Sequence, residues 1–184
     1  YVAEETISFL EGRGKSDNPF FIQCSFPDPH HPFTPPGKYF DMYDPADIPL
    51  PAAFNHPKEK LPPQVAALLA ERDEGRANTD GQRAFGCSED EVREAIALNY
   101  GSITMIDDVI GRVLATLEAT GLADNTVVIF TTDHGDFMGD HQLLLKAAVH
   151  YQGVIRVPCI WSDPADADQP AATDNLAGTI DLPT

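Results

Sequence analysis

Apolar positions recur with helical spacing in three stretches of the chain and run almost unbroken in three others. Ala3, Ile7 and Leu10 share one face of a helix predicted over 2–12 and ending near Gly12 and Gly14. Phe20-Phe21-Ile22-Gln23-Cys24-Ser25-Phe26 is nearly all apolar, which predicts a strand buried on both faces, as in a parallel sheet. A short helix is predicted over 62–73. Ser88 and Glu91 have the spacing of a capping box, hydroxyl and carboxylate each satisfying an amide left free at a helix start. The helix they open is predicted to run to about Thr120. Ile106, Val109, Ile110, Val113, Leu114 and Leu117 form its apolar stripe, and Gly121 stops it. Thr126–Thr132 reads as a second strand. Val154–Trp161 reads as a third, with Pro158 implying an edge or a bulge.

Strand, helix, strand with buried apolar strands implies a right-handed parallel crossover. The fold class expected is therefore α/β, a parallel or mixed sheet flanked by helices. Eleven prolines between positions 27 and 63 exclude a helix or an inner strand there. Residues 27–88 are read as a long Pro-rich loop or insertion region, and a loop of that length in a compact domain is usually functional or disordered. Ligands of open parallel sheets collect outside the carboxyl ends of the strands. Pro29-His30-His31-Pro32-Phe33 follows the first predicted strand and Asp133-His134-Gly135-Asp136 follows the second, so the two clusters are expected on one rim.

Composition narrows the partners. The 184 residues carry 29 acidic against 12 basic side chains, a net charge of −17. A nucleic-acid binder needs a basic stripe to replace counterions, so that class is excluded. The apolar fraction of 42% is too high for a disordered acidic chain, and no apolar run is long enough to span a membrane. Cys24, Cys87 and Cys159 lie far apart, without metal-site or disulfide spacing. The start at Tyr1 and the ending Asp181-Leu182-Pro183-Thr184 lead us to expect a piece of a longer protein.

Asp133 and His134 offer an oxygen and an imidazole nitrogen at adjacent positions, and Gly135 permits close backbone approach. That set suits one divalent cation. A turn cap with a solvated histidine reads the same residues equally well. Lys146 stands twelve residues after His134, behind Leu143-Leu144-Leu145. It is either a solvated charge or a grip on an anionic ester group.

Three ordered segments then agree with one family. TTDHGDFMGDHQLLLK followed by VHYQGVIRVPCIW resembles the C-terminal half of the sulfatase catalytic domain, within the alkaline phosphatase superfamily that also holds phosphonate monoester hydrolases and choline sulfatases. FFIQCSFPDPHHPFTPPGKYFDMYDP resembles the segment leading to the family's substrate-contacting histidine. NYGSITMIDDVIGRVLATLEATGLADNTVVIFTTDHG resembles its long helix and metal-bearing strand. The whole span 1–184 is thus expected to be a partial, incomplete sulfatase-like catalytic domain.

The resemblance implies roles residue by residue. Asp133 and His134 become metal ligands, for one divalent ion with calcium the first expectation and manganese the second. Lys146 becomes the catalytic lysine on the transferred group's oxygens, and His30 the catalytic histidine that contacts substrate and helps the leaving oxygen. His150 either faces the substrate pocket or is a packed or solvated histidine, Arg156 is expected to hold the site through an ion pair in preference to direct catalysis, and His31 to pack the loop or touch the rim. The family nucleophile, a formylglycine made from the Cys or Ser of a C/S-x-P/A-x-R motif, has no match among the three cysteines, so it is expected upstream of Tyr1. The fragment alone is then expected to be inactive. The implied substrate is a sulfate ester of a small molecule or carbohydrate, hydrolysed to sulfate and an alcohol. The alternatives are a phosphonate monoester or phosphodiester hydrolase with the same half-site, or a non-catalytic binding member.

Overall fold

The computed structural model describes residues 1–13, 18–79, 83–166, 168, 172–175, 177–178 and 181–182, without the Lys58 side chain. Its elements are α1 (Val2–Arg13), α2 (Pro63–Asp73), β1 (Phe85–Gly86), α3 (Glu89–Ala119), β2 (Val128–Thr131), β3 (Leu143–Leu144), α4 (Gln152–Ile155) and β4 (Cys159–Ser162). Helix α1 buries Ala3 and Leu10 as its spacing predicts. Its end falls at Arg13, and Gly14 lies outside the described residues.

Helix α3 is the spine. Ser88 accepts from the Glu91 amide while the Glu91 carboxylate takes the Ser88 amide at 2.7 Å, so the predicted capping box is present. The fully buried face lies earlier than the predicted stripe, at Val92, Ala95, Ile96, Ala97, Asn99, Gly101 and Ser102. Of the predicted stripe, Leu117 is buried, Leu114 is exposed, and Ile106, Val109, Ile110 and Val113 are half-buried. The Pro-rich stretch wraps the early half of α3 with short 3-10 turns at Gly37–Tyr39 and Pro45–Asp47. Tyr43 and Tyr39 bond to Thr104 and Asp108 of α3 at 2.8 and 2.6 Å.

Two core patches result. Ile48, Phe54, Cys87, Val92 and Ile96 pack with Leu144 and Leu145. Val65 and Leu69 of α2 pack with Ala84, Phe137, Leu143 and Val154. Together these two patches hold both faces of the segment 143–145.

The sheet differs from expectation. Among the described residues both strand pairs are antiparallel, β1 with β3 and β2 with β4, and neither contains residues 20–26. The predicted parallel crossover is therefore not formed. The physical reason is that 20–26 finds side-chain partners, not a backbone ladder. Phe20 meets Phe9 of α1 edge-on at 5.6 Å and the Thr6 hydroxyl donates to Cys24 Sγ at 3.2 Å. Phe21 is left 84% exposed. The third predicted strand is also divided: Val154 belongs to α4, and only Cys159–Ser162 pairs, opposite Val128–Thr131. Pro158 stands at the break, one residue before the ladder, where its missing amide costs nothing. What stands is a mixture of helices and two small sheets, as in an incomplete α/β domain.

Candidate functional site

Strand β2 ends at Thr131, and Asp133 to Asp136 leave from its carboxyl end. Asp133 Oδ1 accepts the His134 amide at 2.9 Å and the Thr132 hydroxyl at 3.2 Å. Burial works against the Asp133 charge, but the His134 amide and ring and the Thr132 hydroxyl together hold its carboxyl below the usual carboxylate value. His134 Nδ1 lies 2.8 Å from the Gly135 carbonyl, which can only accept, so Nδ1 carries the proton and the Nε2 lone pair is free. That Nε2 stands 3.6 Å from Asp133 Oδ2.

Neighbouring ligands at right angles on one calcium ion, with bonds of about 2.5 Å, stand about 3.5 Å apart. The Asp133–His134 pair therefore fits two coordination positions of a single divalent ion. Among the described residues no third His, Cys, Asp or Glu joins them, so the pair by itself could fill only part of a coordination sphere.

The chain then folds back. The Phe137 amide donates to Leu145 O at 2.9 Å and the Gly139 amide to Leu143 O at 2.8 Å, an antiparallel return. The turn is wound tightly, with Met138, His141, Gln142 and Leu145 all at positive φ besides Gly139. On its other side the returning segment is held by β1 and by the Ala84 amide, which donates to Lys146 O at 3.0 Å. Lys146 is thereby fixed on the same stretch of ribbon as Asp136.

His30 and His31 stand on the loop anchored to α3, where Asn99 donates to Pro29 O at 3.3 Å. Their rings stack at 4.0 Å, and His30 Nδ1 donates to His31 O at 2.7 Å. Burial lowers the His31 imidazole pKa, with the His30 and Lys146 charges adding to it and Asp136 opposing. Burial raises the Asp136 carboxyl, while the Met138 amide, Lys146, His31 and the Leu145 amide pull it back. Lys146, Asp136 and His31 thus form one electrostatic neighbourhood, which His30 borders through His31.

Of the residues singled out in the sequence, Asp133 and His134 are adjacent at the end of β2. Lys146 and His31 act on the Asp136 carboxyl through their charges, and His30 stacks on His31. Among the described residues no hydrogen bond or ion pair joins Asp133 or His134 to Lys146 or His30. His150 is exposed ahead of α4, and Arg156, expected in an ion pair, is exposed at the end of α4 with no carboxylate partner among the described residues. Asp136, which the sequence reading left out of the site, and His31, which it placed on the rim, lie close enough to Lys146 for their charges to act on one another. The signal was a second carboxylate two residues after His134 and a second histidine beside His30.

No cysteine here suits a nucleophile. Burial, with Glu91 adding to it, pushes the Cys87 thiol up to about 12. Cys24 is turned to Thr6 and Cys159 lies in β4. None has the sequence context from which a formylglycine is made.

Comparison with known proteins gives the family. The chain is 38% identical over 167 residues to an arylsulfatase of Clostridium perfringens, covering 90% of this chain and 32% of that protein. It is 34% identical to the multifunctional alkaline phosphatase superfamily protein PehA of Trinickia caryophylli, covering 89% of this chain and 32% of that one. In structure it resembles the phosphonate monoester hydrolase of Agrobacterium radiobacter, with a TM-score of 0.70 at 29% identity, over 89% of this chain and 33% of the other. The chain spans about a third of the length of these relatives. The model of the family described as Sulfatase matches residues 2–184, and the chain belongs to that family.

Proposed function

We propose that this chain is the part of a metal-dependent sulfatase that supplies two metal ligands, the anion-gripping lysine and the leaving-group histidine. The observation that carries the reading is the pairing of Asp133 Oδ2 with a free His134 Nε2 at 3.6 Å, on the same ribbon as Lys146. A divalent ion there, calcium ahead of manganese, supplies Lewis-acid polarisation of the ester group. The chain's own residues do the rest. Lys146 donates to the non-bridging oxygens, whose charge grows as the sulfur–oxygen bond breaks. His30, with Nδ1 committed to the His31 carbonyl, presents Nε2 to the leaving oxygen, and its imidazolium form gives that oxygen a proton. The products are sulfate and an alcohol of a small molecule or carbohydrate. The nucleophile, a formylglycine, belongs to sequence upstream of Tyr1, so 1–184 alone is inactive. The surrounding negative charge does not oppose an anionic substrate, because local cations outweigh distant screened charges.

A second reading has a specific support. Aspartate followed by histidine, in place of the Asp-Asn of many sulfatases, resembles the phosphonate hydrolase and choline sulfatase branches, and two of the relatives above are phosphatase-superfamily or phosphonate enzymes by name. Steady-state kcat/KM of the full-length parent on an aryl sulfate and an aryl phosphonate monoester, before and after chelation, decides. Preference for the sulfate, lost on chelation and regained with calcium or manganese, is expected. Preference for the phosphonate selects the second reading. Turnover of neither ester, or turnover indifferent to chelation, overturns the proposal.

A further inference from the structure

We infer that Asn99 is a positioning residue, whose buried side-chain amide fixes the peptide leading into His30 and so sets where that imidazole meets the leaving oxygen. The inference rests on the role proposed for His30. It begins from one hydrogen bond: Asn99 Nδ2 donates to the Pro29 carbonyl at 3.3 Å, across 70 residues of sequence. At the other end of the same peptide, the His30 amide donates to Pro27 O at 3.2 Å. A peptide is planar, so a plane held through both its carbonyl and its amide has little freedom to tilt. His30 Nδ1 then donates to the His31 carbonyl at 2.7 Å, and the two rings stack at 4.0 Å. Backbone and ring of His30 are thus each held, and its Nε2 stands outside these bonds.

The anchor is firm because α3 is. Asn99 is 8% exposed, on the buried part of the helix with Ala95, Ile96, Gly101 and Ser102. Two residues on, loop and helix touch at the level of the backbone. A β-carbon on Gly101 would lie 2.1 Å from the Tyr39 carbonyl oxygen and 3.1 Å from Cγ of Pro35, which is fully buried. The bonds from Tyr43 and Tyr39 to Thr104 and Asp108 continue the contact along the helix. The histidine loop is therefore clamped to α3 on both sides of His30, at Pro29 by Asn99 and at Pro35 by packing.

Neither the helix nor the core asks for asparagine at this position. It is a poorer helix former than alanine or leucine, and an amide buried without a partner is unfavourable. The residues just before it on α3, Ala95, Ile96 and Ala97, are buried and apolar. What asparagine adds is a donor that reaches the Pro29 carbonyl, a group that can only accept. An ionised aspartate of the same shape has no donor to offer, and leucine has none at all. Residues 28–32 belong to no helix or strand, so their direction comes from anchors of this kind on the rigid scaffold beneath them.

The division of labour is therefore specific. His30 touches the leaving oxygen, and Asn99 acts on it through the Pro29–His30 peptide. A displaced imidazole delivers its proton less readily, so the loss of Asn99 should show where the leaving oxygen needs that proton. Phenoxide needs it. The far more stable 4-nitrophenoxide departs as the anion.

The test compares phenyl sulfate with 4-nitrophenyl sulfate in the full-length parent, with kcat, KM and melting temperature measured for each variant. Asn99→Leu keeps the volume and removes the donor. It should lower kcat on phenyl sulfate by about 10- to 100-fold, as a misplacement of about 1 Å can do, and on 4-nitrophenyl sulfate by less than about threefold. In a His30→Ala background the same change should alter kcat on phenyl sulfate less than about twofold, since no imidazole is left to place. Equal losses on the two esters, a loss that follows melting temperature, a full loss repeated in the His30→Ala background, or no loss at all overturns the inference while leaving the function of the site intact. Should Asn99→Leu fail to fold, Asn99→Ala, the better helix former, decides on the same pair of esters by the same outcomes. If His30→Ala alone turns over phenyl sulfate at the parent rate, the proposed role of His30 falls, and Asn99 falls with it.

Discussion

A β-carbon on Gly135 would lie 2.0 Å from the carbonyl oxygen of Gly153, whose neighbour Val154 accepts the Gly135 amide at 2.8 Å. The two backbones touch because position 135 has no side chain. Gly135→Ala must push α4 away or twist the Asp133-His134 turn, and neither Gly153 nor Gly135 has a flexible atom to yield. A cost of about 1–3 kcal/mol is expected, as for other overpacked sites. Thermal melting of the parent and its variant checks the stability, and turnover should fall further than the melting shift explains. Unchanged melting and turnover would mean the contact opens freely.

The α3 start offers a cleaner number. Ser88 accepts the Glu91 amide at 3.3 Å and Glu91 returns to the Ser88 amide at 2.7 Å. Ser88→Ala should cost about 1 kcal/mol, within the usual range for lost N-caps. Denaturant unfolding reads it directly. A change below about 0.3 kcal/mol would show that tertiary packing of Val92 and Ile96 alone holds this end.

These local features were legible in the sequence because they are local. A capping box, a helical spacing in α1 and a glycine needed for backbone contact at 135 each depend on a few neighbouring residues. The sheet was not legible for the opposite reason. A near-continuous apolar run such as 20–26 states only that both faces want cover, and Phe9, Thr6 and the loop provide part of it without a ladder. In the same way, Val154 through Trp161 reads as one strand, yet Gln152–Ile155 closes a helical turn before Pro158. At the site, the order Asp-His-Gly-Asp singled out the first pair readily. The turn that follows is wound by left-handed residues between Met138 and Leu145, which no periodicity reveals.

Cys87 carries a pH prediction. Its thiol is pushed up to about 12, first by burial and then by the Glu91 charge, from an ordinary 9.0. The folded state therefore keeps it neutral while the unfolded chain ionises it. Its contribution to stability is fully present below about pH 9 and is lost as pH rises toward 12. In the parent, Cys87→Ala should flatten the alkaline fall in stability relative to the unsubstituted protein. The folded thiol should also resist iodoacetamide at pH 8, where few such groups are ionised. Rapid alkylation of Cys87 in folded protein contradicts the burial.

Metal removal separates the two halves of the site. With Asp133 Oδ2 and His134 Nε2 as ligands, His134→Ala should weaken calcium or manganese binding by the parent at least about tenfold, read by calorimetric titration. Lys146→Ala should leave that affinity unchanged. Equal metal affinity in the parent and His134→Ala would remove His134 from the ligand set.

Lys146 itself gives the widest separation between readings. Its backbone is held by the Ala84 amide at 3.0 Å, so truncating the side chain leaves the ribbon pinned. As a donor to oxygens that gain charge in the transition state, it contributes chiefly to kcat. Loss of one such electrostatic partner typically costs about 10²–10³ in rate, or roughly 3–4 kcal/mol. A solvated surface lysine would instead change stability by about 0.5 kcal/mol and leave turnover alone. Lys146→Ala in the full-length parent, assayed on an aryl sulfate beside a melting curve, therefore distinguishes them by orders of magnitude. Normal melting with kcat reduced a hundredfold or more is the expected result. Turnover within about threefold of the parent would make Lys146 a spectator, because no transition-state contact can be lost so cheaply.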